Sequence, residues 1–111
     1  MQEERYILTK LPEEELTREL DQLWAEMQNP DSELSKKAAI QGIDLEPIRQ
    51  LNRDQAIKIY REEAGFDVTH IVMAFVAHGV VEVVKATWLH LLYPRIKNSL
   101  GEDAIKPEPK E

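Results

Sequence analysis

Residues 67–93 read DVTHIVMAFVAHGVVEVVKATWLHLLY, and this stretch decides the fold. At 100° per residue, His78, Glu82 and Lys85 fall into one narrow polar stripe, and apolar side chains take about two thirds of the helical circumference. A helix with so wide an apolar surface must be covered on more than one side. We therefore predict a long apolar helix over 67–93 that is both core and interface.

The predicted interface is centred on Gly79. A glycine inside a helix costs roughly 1 kcal/mol relative to alanine, and on the helical wheel Gly79 aligns with Val72, Val83 and Ala86. This small-residue groove favours close approach of another helix, from the same chain or from a second copy. The alternative is a turn at His78 and Gly79 between 68–77 and 80–92. The predicted interface residues are Val72, Met73, Val76, Gly79, Val80, Val83, Val84, Trp88 and Leu91.

The first forty residues predict one strand and two helices. Residues 5–10 (RYILTK) have the β-branched and aromatic content of a strand. A helix that starts at Pro12 and stops at Asn29-Pro30 would carry a single apolar face. That face consists of Leu16, Leu20, Leu23, Trp24 and Met27. Asp31 or Ser32 can cap a second helix over 33–41, which ends at Gly42.

Residues 43–64 allow two interpretations. The alternation in 56–61 (AIKIYR) is typical of a half-buried strand, which would place Ile57 and Ile59 on one face and pair with 6–8. Asn52 and Gln55 could instead open a helix through a capping box. The strand is favoured, which predicts a mainly helical α+β fold in the order β-α-α-β-α with the long apolar helix at its C-terminal end. An all-α helical bundle is the alternative.

Composition limits the classes of protein that this chain can belong to. A chain of 111 residues fits one domain, predicted over 1–100, and the charged, proline-containing segment 101–111 predicts a disordered tail. A net charge of −7 argues against nucleic acid as a partner. The absence of cysteine excludes disulfides and thiolate metal sites, and it fits a cytoplasmic location. Glu82 and Lys85 lie in the middle of the apolar stretch, which disfavours membrane insertion.

No motif specifies a reaction. His78 and Glu82 are one helical turn apart, a spacing at which two side chains can share a metal ion. The favoured alternative is a solvated stripe in which Glu82 pairs with Lys85. The serines lack a nucleophile motif, and the four scattered glycines form no phosphate loop. We therefore predict no enzyme, no catalytic residue, no cofactor and no bound metal, with His78 and Glu82 as the weak metal candidates.

The end of the chain resembles the ending of short uncharacterised bacterial open reading frames. The resemblance covers 61–104 and rests on Trp88, on the segment Pro94-Arg95-Ile96-Lys97 and on Gly101-Glu102-Asp103-Ala104. Residues 61–67 (REEAGFD) are also similar to the segment that precedes the helix there. Such small proteins look like accessory partners encoded beside defence or protease-type effectors. The resemblance implies an interaction role and carries over no catalytic residue.

These observations predict a small cytoplasmic accessory or regulatory protein that acts by protein association. The partner would be a second copy, giving a homo-oligomer through the 67–93 helix, or another protein. A membrane-surface or membrane-inserting accessory protein is one alternative, in which the same helix meets lipid. A metal or small-ligand binder that uses His78 and Glu82 is the other.

Overall fold

A four-stranded antiparallel sheet is the base of the fold in the computed structural model, which describes residues 2–65 and 67–109. The strands are β1 (Gln2–Thr9), β2 (Ile57–Ala64), β3 (Val68–Phe75) and β4 (Ile105–Pro107). Their spatial order is β2-β3-β1-β4, and each neighbouring pair is antiparallel. The long strands β1 and β3 therefore lie in the middle of the sheet.

The helices cover one face of this sheet. Helices α1 (Glu13–Met27), α2 (Glu33–Ile40) and α3 (Arg53–Ala56) lie between β1 and β2, with a 3₁₀ turn at Glu46–Ile48. Helix α4 (Val81–Thr87), a π-helical segment (Trp88–Leu92) and α5 (Tyr93–Leu100) follow one another without a break. With the three α helices before β2 counted as one crossover, the order is β-α-β-β-α-β, the split βαβ arrangement. We call the helix-covered face of the sheet the inner face and the opposite one the outer face.

The predicted order β-α-α-β-α with a long C-terminal apolar helix is wrong, because residues 68–75 form the central strand β3. Ile71, Met73 and Phe75 point to the inner face and are fully buried in the core. The sheet also excludes the all-α bundle. A central strand with both edges paired is an almost uninterrupted apolar run, as a buried helix is, so periodicity does not separate the two.

Gly79 lies in a turn, not in a helix-packing groove. Its φ of +82° belongs to the left-handed region, and a Cβ added there would meet no atom within 4 Å. Glycine is therefore required by the backbone conformation and not by close approach of a neighbour. The turn at His78 and Gly79 that the sequence left open is present, but it joins a strand to a helix.

Pro94 does not end the C-terminal helix, which continues to Leu100. The π-helical segment Trp88–Leu92 ends two residues before this proline. Proline has no N–H to donate to the carbonyl of His90, and its ring needs room at that carbonyl. The wider π turn provides such room, and it brings Trp88, Leu91 and Leu92 into the core.

Several local predictions are confirmed. The buried residues of α1 are the five of the predicted apolar face. Ser32 caps α2 by accepting a hydrogen bond from the backbone N–H of Ser35, and Gly42 has a φ of +74°. The strand predicted in 56–61 is present as β2 from Ile57 onward, and the capping box of Asn52 and Gln55 is also present, where it opens the short helix α3. Its predicted pairing with 6–8 is wrong, since β3 lies between β1 and β2.

The segment after residue 100 is not the predicted disordered tail over its described part, because it contains β4. Ile105 pairs with Leu8, and both are fully buried. The backbone N–H of Glu108 donates to the carbonyl of Arg5 at 2.9 Å, which continues the pairing. A single buried isoleucine thus attaches an otherwise polar segment to the sheet. Lys110 and Glu111, at the end of the predicted tail, lie outside the described residues.

Three aromatic side chains join β1 to the C-terminal helix. The indole Nε1–H of Trp88 donates to the hydroxyl of Tyr6 at 2.8 Å, and both side chains are buried. Tyr93 packs against both rings, with centroids 5.4 Å from Tyr6 and 5.3 Å from Trp88. Burial raises the pKa of Tyr6 from 10.0 to about 12, and it also raises the pKa of Tyr93.

The pKa of Tyr6 predicts a loss of stability at high pH. Because the folded-state pKa is the higher one, the stabilisation by neutral Tyr6 is complete below pH 10 and is lost as the pH rises towards 12. We expect the free energy of unfolding to fall less steeply across this window in Tyr6→Phe than in the parent protein. Urea unfolding at a series of pH values measures it. Tyr60→Phe, the same change at a half-exposed side chain, is the control for the substitution itself.

Candidate functional site on the outer face of the sheet

None of the described helices packs on the outer face, because their buried side chains meet the inner one. Alternate residues of each strand point outward. The outer face carries Glu3, Arg5, Ile7 and Thr9 from β1, Lys58, Tyr60, Glu62 and Glu63 from β2, His70, Val72 and Ala74 from β3, and Lys106 from β4. An antiparallel sheet can leave one face open to water.

One ion pair and one contact between a histidine and a carboxylate cross the middle strands on this face. Arg5 of β1 reaches over β3 to the carboxylate of Glu62, which a β-bulge places as the unpaired residue of β2. Nδ1 of His70 on β3 lies 3.2 Å from Oε1 of Glu108, beyond β1. These contacts lie across the sheet and help to explain why Val72 is only 6% exposed although no described helix covers it.

Tyr60 is the large apolar side chain that the outer face presents to solvent. It is 52% exposed and lies opposite Val72, whose other cross-strand neighbour is Arg5. Tyrosine and arginine are enriched in protein interfaces, because each combines a large contact area with a polar end. Tyr60, Val72 and Ile7 therefore form the apolar part of the candidate site.

The strand register arranges the charges of the outer face in rows. One row runs Glu63, His70, Ile7 and Lys106, with the negative charge on edge strand β2 and the positive charge on edge strand β4. The next row runs Tyr60, Val72, Arg5 and Glu108. With strands about 4.8 Å apart, Glu63 and Lys106 are on strands roughly 14 Å apart. This row therefore has opposite charges at its two ends.

The structure separates the residues predicted as one interface. Met73, Val84, Trp88 and Leu91 are fully buried in the chain's own core, which leaves them no surface for a partner. Val72 lies on the outer face, and Gly79 is exposed in the turn. Val76, Val80 and Val83 are partly buried around that turn and on α4. The single helical interface predicted from these nine residues does not exist.

The two weak metal candidates are also placed differently from the prediction. His78 is exposed in the turn, and Glu82 is exposed in the first turn of α4, where its Oε1 accepts a hydrogen bond from Nε2 of Gln2 at 2.9 Å. The two side chains no longer share a helical face. Within residues 2–65 and 67–109, no three His, Asp or Glu side chains are grouped to hold a metal ion. In the same part of the chain, no helix is long and apolar enough to cross a bilayer.

The residues of the outer face were missed because their grouping depends on β3. The alternation of 57–60 already separated Tyr60 from Ile57 and Ile59, so a signal for an outward tyrosine was present. What lay beside Tyr60 depended on whether 68–75 was strand or helix. Comparisons of this chain with family models, with curated proteins and with solved structures found no match. The resemblance of 61–104 to bacterial open reading frames stays a prediction.

Proposed function

We propose that this protein acts by association with a second copy of itself through the outer face of its sheet. The observation that carries the proposal is the row Glu63, His70, Ile7, Lys106, whose ends have opposite charges. In a two-fold dimer the same patch meets itself, so a row with opposite charges at its two ends is complementary to the same row of the second copy.

The proposed two-fold axis lies above the outer face, parallel to the strands and over the line between β3 and β1. Rotation about this axis places β2 of one copy over β4 of the other. Glu63 then faces Lys106 of the second copy, and by symmetry this contact occurs twice. In the next row Tyr60 faces Glu108 of the second copy, and Val72 faces Arg5. Neither row places like charges opposite one another.

The size of the outer face predicts a weak dimer. Four strands at about 4.8 Å spacing and roughly six residues of length give on the order of 400 Å² of projected area per copy. This is about half of the roughly 800 Å² per partner that a standard specific interface buries. The expected dimer is therefore concentration-dependent and assembles and separates readily. We further propose a cytoplasmic location, which the cysteine-free sequence fits.

Charge exchange between Glu63 and Lys106 tests the proposal. We expect Glu63→Lys alone and Lys106→Glu alone each to raise the dimer dissociation constant about tenfold, since each places two like-charge contacts in the interface. The double variant should return to within about threefold of the parent value, because the exchanged charges meet again. Sedimentation equilibrium at low salt up to roughly 0.5 mM protein measures it, at concentrations that suit a weak interface.

The matched control exchanges two exposed charges on α2, Glu33→Lys and Lys37→Glu, at the same net charge. It should leave the dissociation constant unchanged. A parent protein that stays at 12.9 kDa throughout contradicts self-association. A dimer that is insensitive to both single variants places its interface elsewhere on the molecule.

A further inference from the structure

A cleft of about 560 Å³ lies between α1 and the segment that leads into α3, on the helical side of the molecule. Its volume is within the range of small-molecule binding sites. Trp24 and Leu51 contribute an apolar wall, and Gln28, Arg49, Arg53 and Asp54 contribute polar side chains. The outer face of the sheet is not part of this cleft, so the inference is independent of the proposed dimer.

Hydrogen bonds to the rest of the chain hold the two arginines of the cleft in place, but they do not use all of the N–H donors of either guanidinium. Nη1 of Arg49 donates to the carbonyl of Met27 at 2.8 Å, and Nη1 of Arg53 donates to the carbonyl of Ile57 at 2.9 Å. Their Nε atoms donate to Glu46 and Asp21. A guanidinium has five N–H donors, and Nη2 of each arginine has no acceptor among the described residues. Two anchored guanidinium groups with free donors suit a carboxylate.

Gln28 has the opposite property, since its side chain carries an acceptor without a donor. Its Nε2 donates to the carbonyls of Leu51 at 3.2 Å and Ile48 at 3.5 Å, which fixes the orientation of the amide. Its Oε1 is buried and accepts no hydrogen bond from the described residues. Buried acceptors are nearly always paired, so Gln28 is an unsatisfied group in the wall of the cleft.

The cleft lining carries equal numbers of positive and negative side chains, and this limits the kinds of ligand that can bind there. Asp21 and Asp54 line it together with Arg49 and Arg53, so the lining carries two charges of each sign. A multiply charged anion would meet the carboxylates, and a cation would meet the guanidinium groups. A molecule that carries one charge of each sign can satisfy both, and its apolar part can contact Trp24 and Leu51.

We propose that the cleft binds a free α-amino acid with an apolar side chain. The carboxylate accepts hydrogen bonds from Nη2 of Arg49 and Arg53. The ammonium group pairs with the carboxylate of Asp54, which is exposed at the cleft. The side chain lies against Trp24 and Leu51.

Titration followed by ¹H–¹⁵N NMR tests this site, with the side-chain N–H signals of Trp24, Gln28, Arg49 and Arg53 as reporters. The probes are leucine, methionine and phenylalanine, each at up to roughly 20 mM, which detects millimolar binding. Leucinamide lacks the carboxylate and N-acetyl-leucine lacks the ammonium group. We expect saturable shifts with at least one amino acid, and at least tenfold weaker binding of the corresponding amide and N-acetyl derivatives.

Asp54→Asn is the variant test, with Asp31→Asn, at another exposed aspartate, as its control. We expect the first to weaken amino-acid binding at least fivefold and the second to leave it unchanged. The absence of saturable shifts with all three amino acids overturns the proposal. Equal binding of the derivatives, or an Asp54→Asn variant with unchanged affinity, overturns the assignment of a ligand with both charges.

Discussion

Replacing Met73 by threonine is expected to cost about 3 kcal/mol or more of folding free energy, while Val72→Thr is expected to cost about 1 kcal/mol. Met73 is fully buried on the inner face of β3, so threonine leaves a cavity and buries a hydroxyl. Val72 lies on the outer face between Tyr60 and Arg5, where threonine keeps the β-branched shape and has polar neighbours.

Urea unfolding of the two variants, followed by circular dichroism at neutral pH, measures this difference. Ile40→Thr is the control, since Ile40 is 86% exposed on α2 and its replacement should change stability little. Similar large losses at positions 72 and 73 would match a helix that is covered all round and would contradict the alternation of β3.

Replacing Ile105 by alanine is expected to destabilise the protein by about 2 to 4 kcal/mol. Ile105 is fully buried beside Leu8 and is the residue that attaches β4 to the core. The loss would be an appreciable part of the total stability of a small domain, which is about 5 to 15 kcal/mol. A residue in a disordered tail would contribute almost nothing.

The same unfolding measurement applies to Ile105→Ala, with Ile40→Ala as an identical change at an exposed position. Limited proteolysis gives an independent reading, because cleavage near residue 105 should become faster in the variant. Equal stability of the two variants would show that β4 is not docked on the sheet.

Elements with one buried face were predictable from the sequence. The five apolar residues of α1 repeat with helical spacing, and Ser32 and Gly42 mark the ends of α2 by local chemistry. The strand β2 was predictable because its alternation survives at the edge of the sheet, where one side remains polar.

The central strand and β4 could not be predicted in the same way. Residues 71–75 are buried on both faces, so their apolar run carries no period that separates a strand from a helix. Two of the three residues of β4 are exposed, and a charged, proline-containing segment is typical of a tail. Its backbone pairing with β1 and the burial of Ile105 in the core make it a strand.

The candidate sites depend on contacts between distant segments. The outer face brings Tyr60, Arg5 and Lys106 together only when β3 separates β1 from β2. Arg49 directly follows the 3₁₀ turn and Arg53 begins α3, and each is positioned by a backbone carbonyl at least four residues away. No residue spacing in the sequence indicates a hydrogen bond of this kind, so the role of these arginines could not be predicted.

The most direct test of the central claim is an isotope-filtered NMR experiment on an equal mixture of ¹³C-labelled and unlabelled protein, recorded at a concentration where the dimer is populated. It detects only contacts between two copies of the chain. The account predicts intermolecular contacts from Tyr60, Val72 and Ile7 to the outer face of the other copy. Contacts confined to the exposed surfaces of the helices, or no intermolecular contacts at all, would contradict it.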